Sequence, residues 1–273
     1  MSSSSSNKPV AVVTGASSGI GAVYAERLAT RGFDLVLVAR RAERLQALSA
    51  KVSQAHGAKV EMIDADLTKE ADLERVEGVL ATNSRVAMLV NNAGNGKLGS
   101  TVDMSAEDTA STIALNVTAL TRLTRAVLPA FLSRNAGAII SISSVMALHS
   151  LAITSLYSGT KGFVLNFSRG LQEELAGTDV RLQVVLPAGV ATEFYDHAGM
   201  PLSAFDPAAV MTTENMVDAA LAGFDQGEAV TLPSVHDSNL WDTYDAARAA
   251  LFGVTQTGIT APRYQSAARN RAA

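Results

Sequence analysis

Short apolar runs alternate with longer amphipathic stretches along this chain. Residues 10–14 (VAVVT), 34–39 (DLVLVA), 59–63, 86–90, 138–142 and 180–186 are rich in β-branched and aliphatic side chains, which predicts strands. Between them, apolar residues recur at helical spacing over residues 20–31, 42–54, 70–82, 107–133 and 153–174. Strands apolar on both faces belong in the middle of a parallel sheet. Helical crossovers between such strands predict a doubly wound α/β sheet in three layers, α/β/α. Residues 191–213 break the rhythm with a long, irregular, aromatic segment, the kind of loop that compact domains keep for function. A helix over 214–225, a strand over 229–232 and a helix over 238–252 then resume the pattern. With no internal repeat and no Pro- or Gly-rich linker, residues 8–273 read as one domain. The serine-rich residues 1–7 read as a disordered tail, not a signal peptide.

Composition narrows the function classes. A chain of 273 residues, 48% hydrophobic and 18% charged, can bury a sizeable core. A net charge of -4 without a basic stripe argues against nucleic acid as a partner. The absence of cysteine removes disulfides, thiolate catalysis and cysteine-ligated metals, and the four histidines have no metal-ligand spacing, so no metal is expected. No apolar run approaches the ~20 residues of a membrane span, and a cytoplasmic location is expected.

The first strand runs into Gly15-Ala16-Ser17-Ser18-Gly19-Ile20-Gly21. A glycine-rich turn between strand and helix lets backbone approach a pyrophosphate, with the helix N-terminus facing the anion. Ala22-Val23 follows, where the P-loop of a nucleotide triphosphatase needs Lys followed by Ser or Thr. An NAD site commonly places Asp or Glu at the end of the second strand; this chain has Ala39, then Arg40 and Arg41. A guanidinium suits a 2′-phosphate, which predicts NADP(H), with Arg40 as the main contact and Ser17 beside it.

Tyr157-Ser158-Gly159-Thr160-Lys161 is the second chemical signal. On a helix, Tyr157 and Lys161 share one face, a turn apart. An ammonium fixed there favours the phenolate and is expected to lower the phenol's pKa, giving a group able to exchange a proton near neutral pH.

TGASSGIG (residues 14–21), NNAG (91–94), Asn116, Ser143-Ser144 and YSGTK, in that order, closely resemble the short-chain dehydrogenase/reductase family in its single-domain form. The resemblance covers residues 8–195 and implies a Rossmann fold and a tetrad. Tyr157 would be the general acid, and Lys161 would tune it and bind the nicotinamide ribose. Ser144 would polarise the carbonyl, and Asn116 would support a water-linked proton path. Ser144 is preferred to Ser143 on its thirteen-residue spacing to Tyr157. The resemblance also assigns Ser18, Asp66-Leu67, Asn92, Ala93 and Gly94 to the cofactor's adenosine half, and Pro187, Gly189, Val190 and Thr192 to its nicotinamide half. Ala188 and the C-terminal segment depart from the family pattern. The implied activity is NADP(H)-dependent interconversion of a hydrophobic ketone or aldehyde and its alcohol, in a homodimer or homotetramer. Reduction of 3-oxoacyl substrates and a non-catalytic NADP(H) sensor are the alternatives.

Overall fold

The computed structural model describes residues 8–269, so the predicted tail lies outside the described residues. Strands β1 (Val10–Thr14), β2 (Asp34–Ala39), β3 (Val60–Asp64), β4 (Val86–Asn91), β5 (Gly137–Ile142) and β6 (Val180–Val185) match the predicted runs to within a residue. Strands β7 (Gly189–Val190) and β8 (Val210–Met211) pair with each other as a separate small sheet. With β9 (Val230–Thr231), the first six form a 7-stranded parallel sheet in the order β3-β2-β1-β4-β5-β6-β9. The helices are α1 (Gly19–Thr30), α2 (Ala42–His56), α3 (Glu70–Thr82), α4 (Ala106–Ile113), α5 (Leu120–Ser133), α6 (Ser155–Glu174), α7 (Phe194–Ala198), α8 (Thr213–Gln226), α9 (Asn239–Thr255) and α10 (Pro262–Arg269).

Alternation along the central strands builds the layers. Ala11 and Val13 of β1, with Leu35 and Leu37 of β2, pack on one face with Leu28 of α1, Leu45 of α2 and Leu221 of α8. Val10, Val12, Val36 and Val38 turn to the other face, where Val76 of α3, Val127 of α5 and Leu171 of α6 cover them. The edge strand β3 differs from its neighbours: Glu61 and Met62 are exposed, and a charge on an edge strand discourages pairing with another chain.

Two features depart from the sequence reading. The single helix expected over 107–133 is interrupted by a π-helical turn at Ala114–Ala119. The chain also divides into two compact units with a boundary after Ser234, where the sequence offers no linker. The first unit contains both sheets. The second, residues 235–273, contains α9 and α10; α9 has no buried residue, and its Leu251, Phe252 and Val254 are exposed. Trp241 of α9 lies against Tyr244 with ring centres 5.4 Å apart.

Candidate active site

The C-terminal end of β1 organises one half of the site. Thr14 is buried there; its Oγ1 donates to the Val90 carbonyl (3.2 Å) and accepts from the Asn92 and Ala93 amides (3.0 Å each). The Asn92 side chain donates to the carbonyls of Thr14 (2.9 Å) and Gly15 (3.2 Å). These bonds tie the glycine-rich turn to residues 91–94 where the strand order reverses between β1 and β4, the crevice in which open α/β sheets bind ligands. Gly15 has φ +67°, and a Cβ there would lie 2.7 Å from Asn92 Nδ2 and 2.9 Å from Ala93 Cα. A Cβ at Gly21 would collide with the Gly15 carbonyl oxygen, so both positions must stay bare. Helix α1 starts just after Ser18, without a side-chain cap and without an acidic residue in its first turn. Its amides are therefore free for an anion, and the cradle fits a dinucleotide pyrophosphate.

Arg41, not Arg40, reaches the turn. Its guanidinium donates to Ser17 Oγ (3.1 Å), Ser18 Oγ (2.7 Å) and Glu193 Oε2 (2.8 Å). Arg44 donates to the other oxygen of Glu193 (2.6 Å). Hydrogen bonds from Arg41 and then Arg44 hold the Glu193 carboxyl down to about 2. Arg40 is exposed on the wall of the cleft. Asp66 Oδ1 accepts from the Thr68 amide (3.1 Å) and hydroxyl (2.7 Å). Partial burial pushes its carboxyl up, but the Thr68 bonds and the Arg40 charge outweigh that and leave it below the usual range.

The other half of the site forms where β5 ends. Ser143 Oγ donates to the Lys161 carbonyl (2.8 Å) and so supports α6 from behind. Ser144 Oγ accepts from the Met146 amide (3.1 Å), and its hydroxyl interacts with the Tyr157 phenol. The chain stays extended just past β5, so consecutive residues face opposite ways and only one of the pair lies beside Tyr157. Lys161 Nζ donates to the Ile142 carbonyl (2.9 Å) and lies 5.7 Å from the centre of the Tyr157 ring.

The expected depression of the Tyr157 pKa is corrected here. Burial holds the phenol above its ordinary value, against a smaller lowering from the Ser144 hydrogen bond. The same burial brings Lys161 down to about 8. Desolvation is the largest cause for both groups.

Asn116 sits in the π-helical turn, a feature frequent at functional sites. Its Nδ2 donates to the Asn95 carbonyl (2.8 Å) and Thr160 Oγ1 (3.0 Å), while its Oδ1 accepts from the Asn95 amide (2.9 Å). It thus braces the loop after β4 against α6, behind Lys161.

Every predicted site residue except Gly21 and Asn116 lines one cleft of about 640 Å³. Its far wall is apolar: Val145, Met146, Leu151, Phe194, Met200 and Phe205 contribute. The Tyr157 and Phe194 rings lie 5.3 Å apart, Phe194 and Tyr195 5.5 Å, and Tyr195 and Phe205 4.8 Å. Gly96 makes the first contact possible, because a Cβ there would lie 2.7 Å from Phe194 Cζ and 2.8 Å from Tyr157 Cδ2. Despite the Ala188 departure, the backbone beyond it is regular, with Gly189 and Val190 paired to Val210 and Met211. Sequence reasoning missed Glu193, Arg44, Asn95 and Gly96. Only the second glycine in Asn92-Ala93-Gly94-Asn95-Gly96 carried a signal, as a possible close approach of backbone. Among the described residues, no helix is long and apolar enough to cross a membrane, and no cluster of His, Cys, Asp or Glu is grouped to hold a metal.

Residues 9–200 match the family model described as short chain dehydrogenase. The chain is 38% identical over 184 residues to human 17-beta-hydroxysteroid dehydrogenase type 3, covering 67% of this chain and 59% of that protein. Bovine very-long-chain 3-oxoacyl-CoA reductase is 36% identical, with 67% of this chain and 60% of that protein covered. The chain therefore spans less than two thirds of these relatives. Among solved structures, a short-chain dehydrogenase from Sphingobium yanoikuyae in complex with NADPH is 46% identical, with a TM-score of 0.90 over 94% of this chain and 100% of that one. The bulky-bulky ketone specific alcohol dehydrogenase from Comamonas testosteroni is 39% identical, with a TM-score of 0.86 over 95% and 99%. Family match and fold agree: the chain belongs to the short-chain dehydrogenase family.

Proposed function

We propose that this protein is an NADP(H)-dependent reductase that converts a bulky hydrophobic ketone or aldehyde into its alcohol, and back. The observation that carries the reading is the shared cleft. Ser144, Tyr157 and Lys161 stand at an apolar end, and the glycine-rich turn with Arg40 and Arg41 stands at the other. The NADPH complex of the Sphingobium relative and the ketone specificity of the Comamonas relative support it.

Gly15 to Gly21 would hold the pyrophosphate, and Arg40, Arg41, Ser17 and Ser18 the 2′-phosphate. Asp66, Leu67 and residues 92–94 would hold the adenosine, and Pro187, Gly189, Val190 and Thr192 the nicotinamide end. Bound there, the cofactor supplies the hydride that goes to the carbonyl carbon. Ser144 donates a hydrogen bond to the carbonyl oxygen and polarises it. The Tyr157 hydroxyl then passes its proton to that oxygen, leaving an alcohol and a tyrosinate. Lys161 stabilises the tyrosinate, and Asn116, behind it, holds the loop and helix in register for proton return. A phenol held above its ordinary value rests protonated at neutral pH, which suits reduction.

Reduction of a 3-oxoacyl thioester is the second reading, favoured by the bovine relative. Against it, residues 191–213 contain no Lys or Arg to clamp the phosphates of a CoA. Both readings are separated by following NADPH absorbance with bulky diaryl or polycyclic ketones and, in parallel, long-chain 3-oxoacyl-CoA. Turnover of the ketones alone is the expected result, and preference for the thioester would replace the first reading with the second. Tyr157→Phe is expected to lower turnover at least ~10²–10⁴-fold while still binding NADPH.

A further inference from the structure

Glu193 joins the two ends of the cleft. Its carboxylate accepts from Arg41 (2.8 Å) and Arg44 (2.6 Å), and Arg41 is the same guanidinium that engages Ser17 and Ser18 of the glycine-rich turn. Glu193 also immediately precedes α7, whose first residue, Phe194, lies against the Tyr157 ring at 5.3 Å. Glu193 thus already engages the Arg41 guanidinium that the NADP(H) reading assigns to a 2′-phosphate. A phosphate monoester brings nearly two negative charges and three acceptor oxygens, and it cannot share one guanidinium edge with a carboxylate without repulsion. The side chains of Arg41 and Glu193 are 39% and 40% exposed, so their pairing is weak enough to be exchanged.

We propose that Glu193 is a cofactor-responsive latch: in the free protein it ties α7 to the arginines of the turn, and a 2′-phosphate displaces it, releasing Phe194 from Tyr157. The latch makes Glu193 a positioning residue for the substrate loop and an internal competitor for the cofactor. By linkage, the factor by which 2′-phosphate binding favours the open loop equals the factor by which an open loop favours 2′-phosphate binding. A cofactor lacking the 2′-phosphate leaves the latch closed. The inference rests on the NADP(H) reading above.

The test uses 2′,5′-ADP and 5′-AMP, which lack the nicotinamide and so leave the catalytic end free. Calorimetric titration compares the wild type with Glu193→Gln. In parallel, chymotrypsin cleavage after Tyr195 and Phe205 reports loop opening. The variant is expected to bind 2′,5′-ADP about three- to tenfold tighter than the wild type, the effect of removing weak exposed ion pairs, with 5′-AMP unchanged. The wild-type loop should be cut faster when 2′,5′-ADP is added but not when 5′-AMP is, and the variant should be cut fast without either. Equal or weaker 2′,5′-ADP binding by the variant, or cleavage indifferent to 2′,5′-ADP, overturns the latch. A wild type that binds 2′,5′-ADP no tighter than 5′-AMP overturns the NADP(H) reading itself, and is told apart by needing no variant.

Discussion

Lys161 carries an ammonium into a buried place beside the site, and its titration gives that burial a measurable signature. Its folded value is about 8, whereas a free lysine titrates near ~10.4. Between those values the unfolded chain binds a proton that the folded chain does not. This group therefore makes the fold more stable as pH rises through that window. Tyr24 and Tyr157 act oppositely: burial keeps both phenols above their ordinary value, so above ~10 the unfolded chain loses protons that the fold retains. Replacing Lys161 by Met removes the first effect. The melting temperature of Lys161→Met relative to wild type, both without cofactor, should be highest near pH 7 and fall steadily towards pH 10. A difference that stays flat across this range would mean that Lys161 titrates normally. The adjacent arginines show what residue-scale sequence reasoning lacks. Arg40 and Arg41 are equivalent in composition, and only the turn leaving β2 aims Arg41 at Ser17 and Ser18.

At the scale of elements, the central strands were legible because their apolar residues run unbroken, and the glycine-rich turn because its chemistry is local. The π-helical turn was not, since Ala114-Leu115-Asn116-Val117-Thr118-Ala119 is an ordinary helical sequence and its wider ladder is imposed by packing. Its cost is repaid by Asn116, which satisfies both backbone groups of Asn95. Asn116→Ala leaves those groups without that partner and should destabilise the fold by about 1–3 kcal/mol, read from urea unfolding. The loop side of the cleft is tested at Gly96. In Gly96→Ala the new methyl must displace the Phe194 ring, which can move, or the Tyr157 ring, which is held on α6. Turnover is expected to fall by about tenfold or more, as misplacement by an ångström does, with 2′,5′-ADP affinity not reduced. Equal losses in both would place the damage in the fold and not in the cleft. Glu193 left no trace in the sequence: its partners lie 152 and 149 residues away along the chain.

For the whole molecule, the first unit contains the sheet, both core faces and all residues of the cleft. A chain ended at Ser234 keeps β9 and should still melt cooperatively and bind 2′,5′-ADP with wild-type affinity. Loss of cooperative melting would assign residues 235–273 a part in holding the first unit together. The protein's single tryptophan, Trp241, belongs to that second unit, while Tyr157 and Tyr195 line the cleft. Indole emission is thus a reporter on α9 alone, whereas the tyrosines are divided between the units, Tyr24, Tyr157 and Tyr195 in the first and Tyr244 and Tyr264 in the second. Excitation at the red edge of indole absorption, where phenols absorb little, should therefore follow the second unit by itself, without any label.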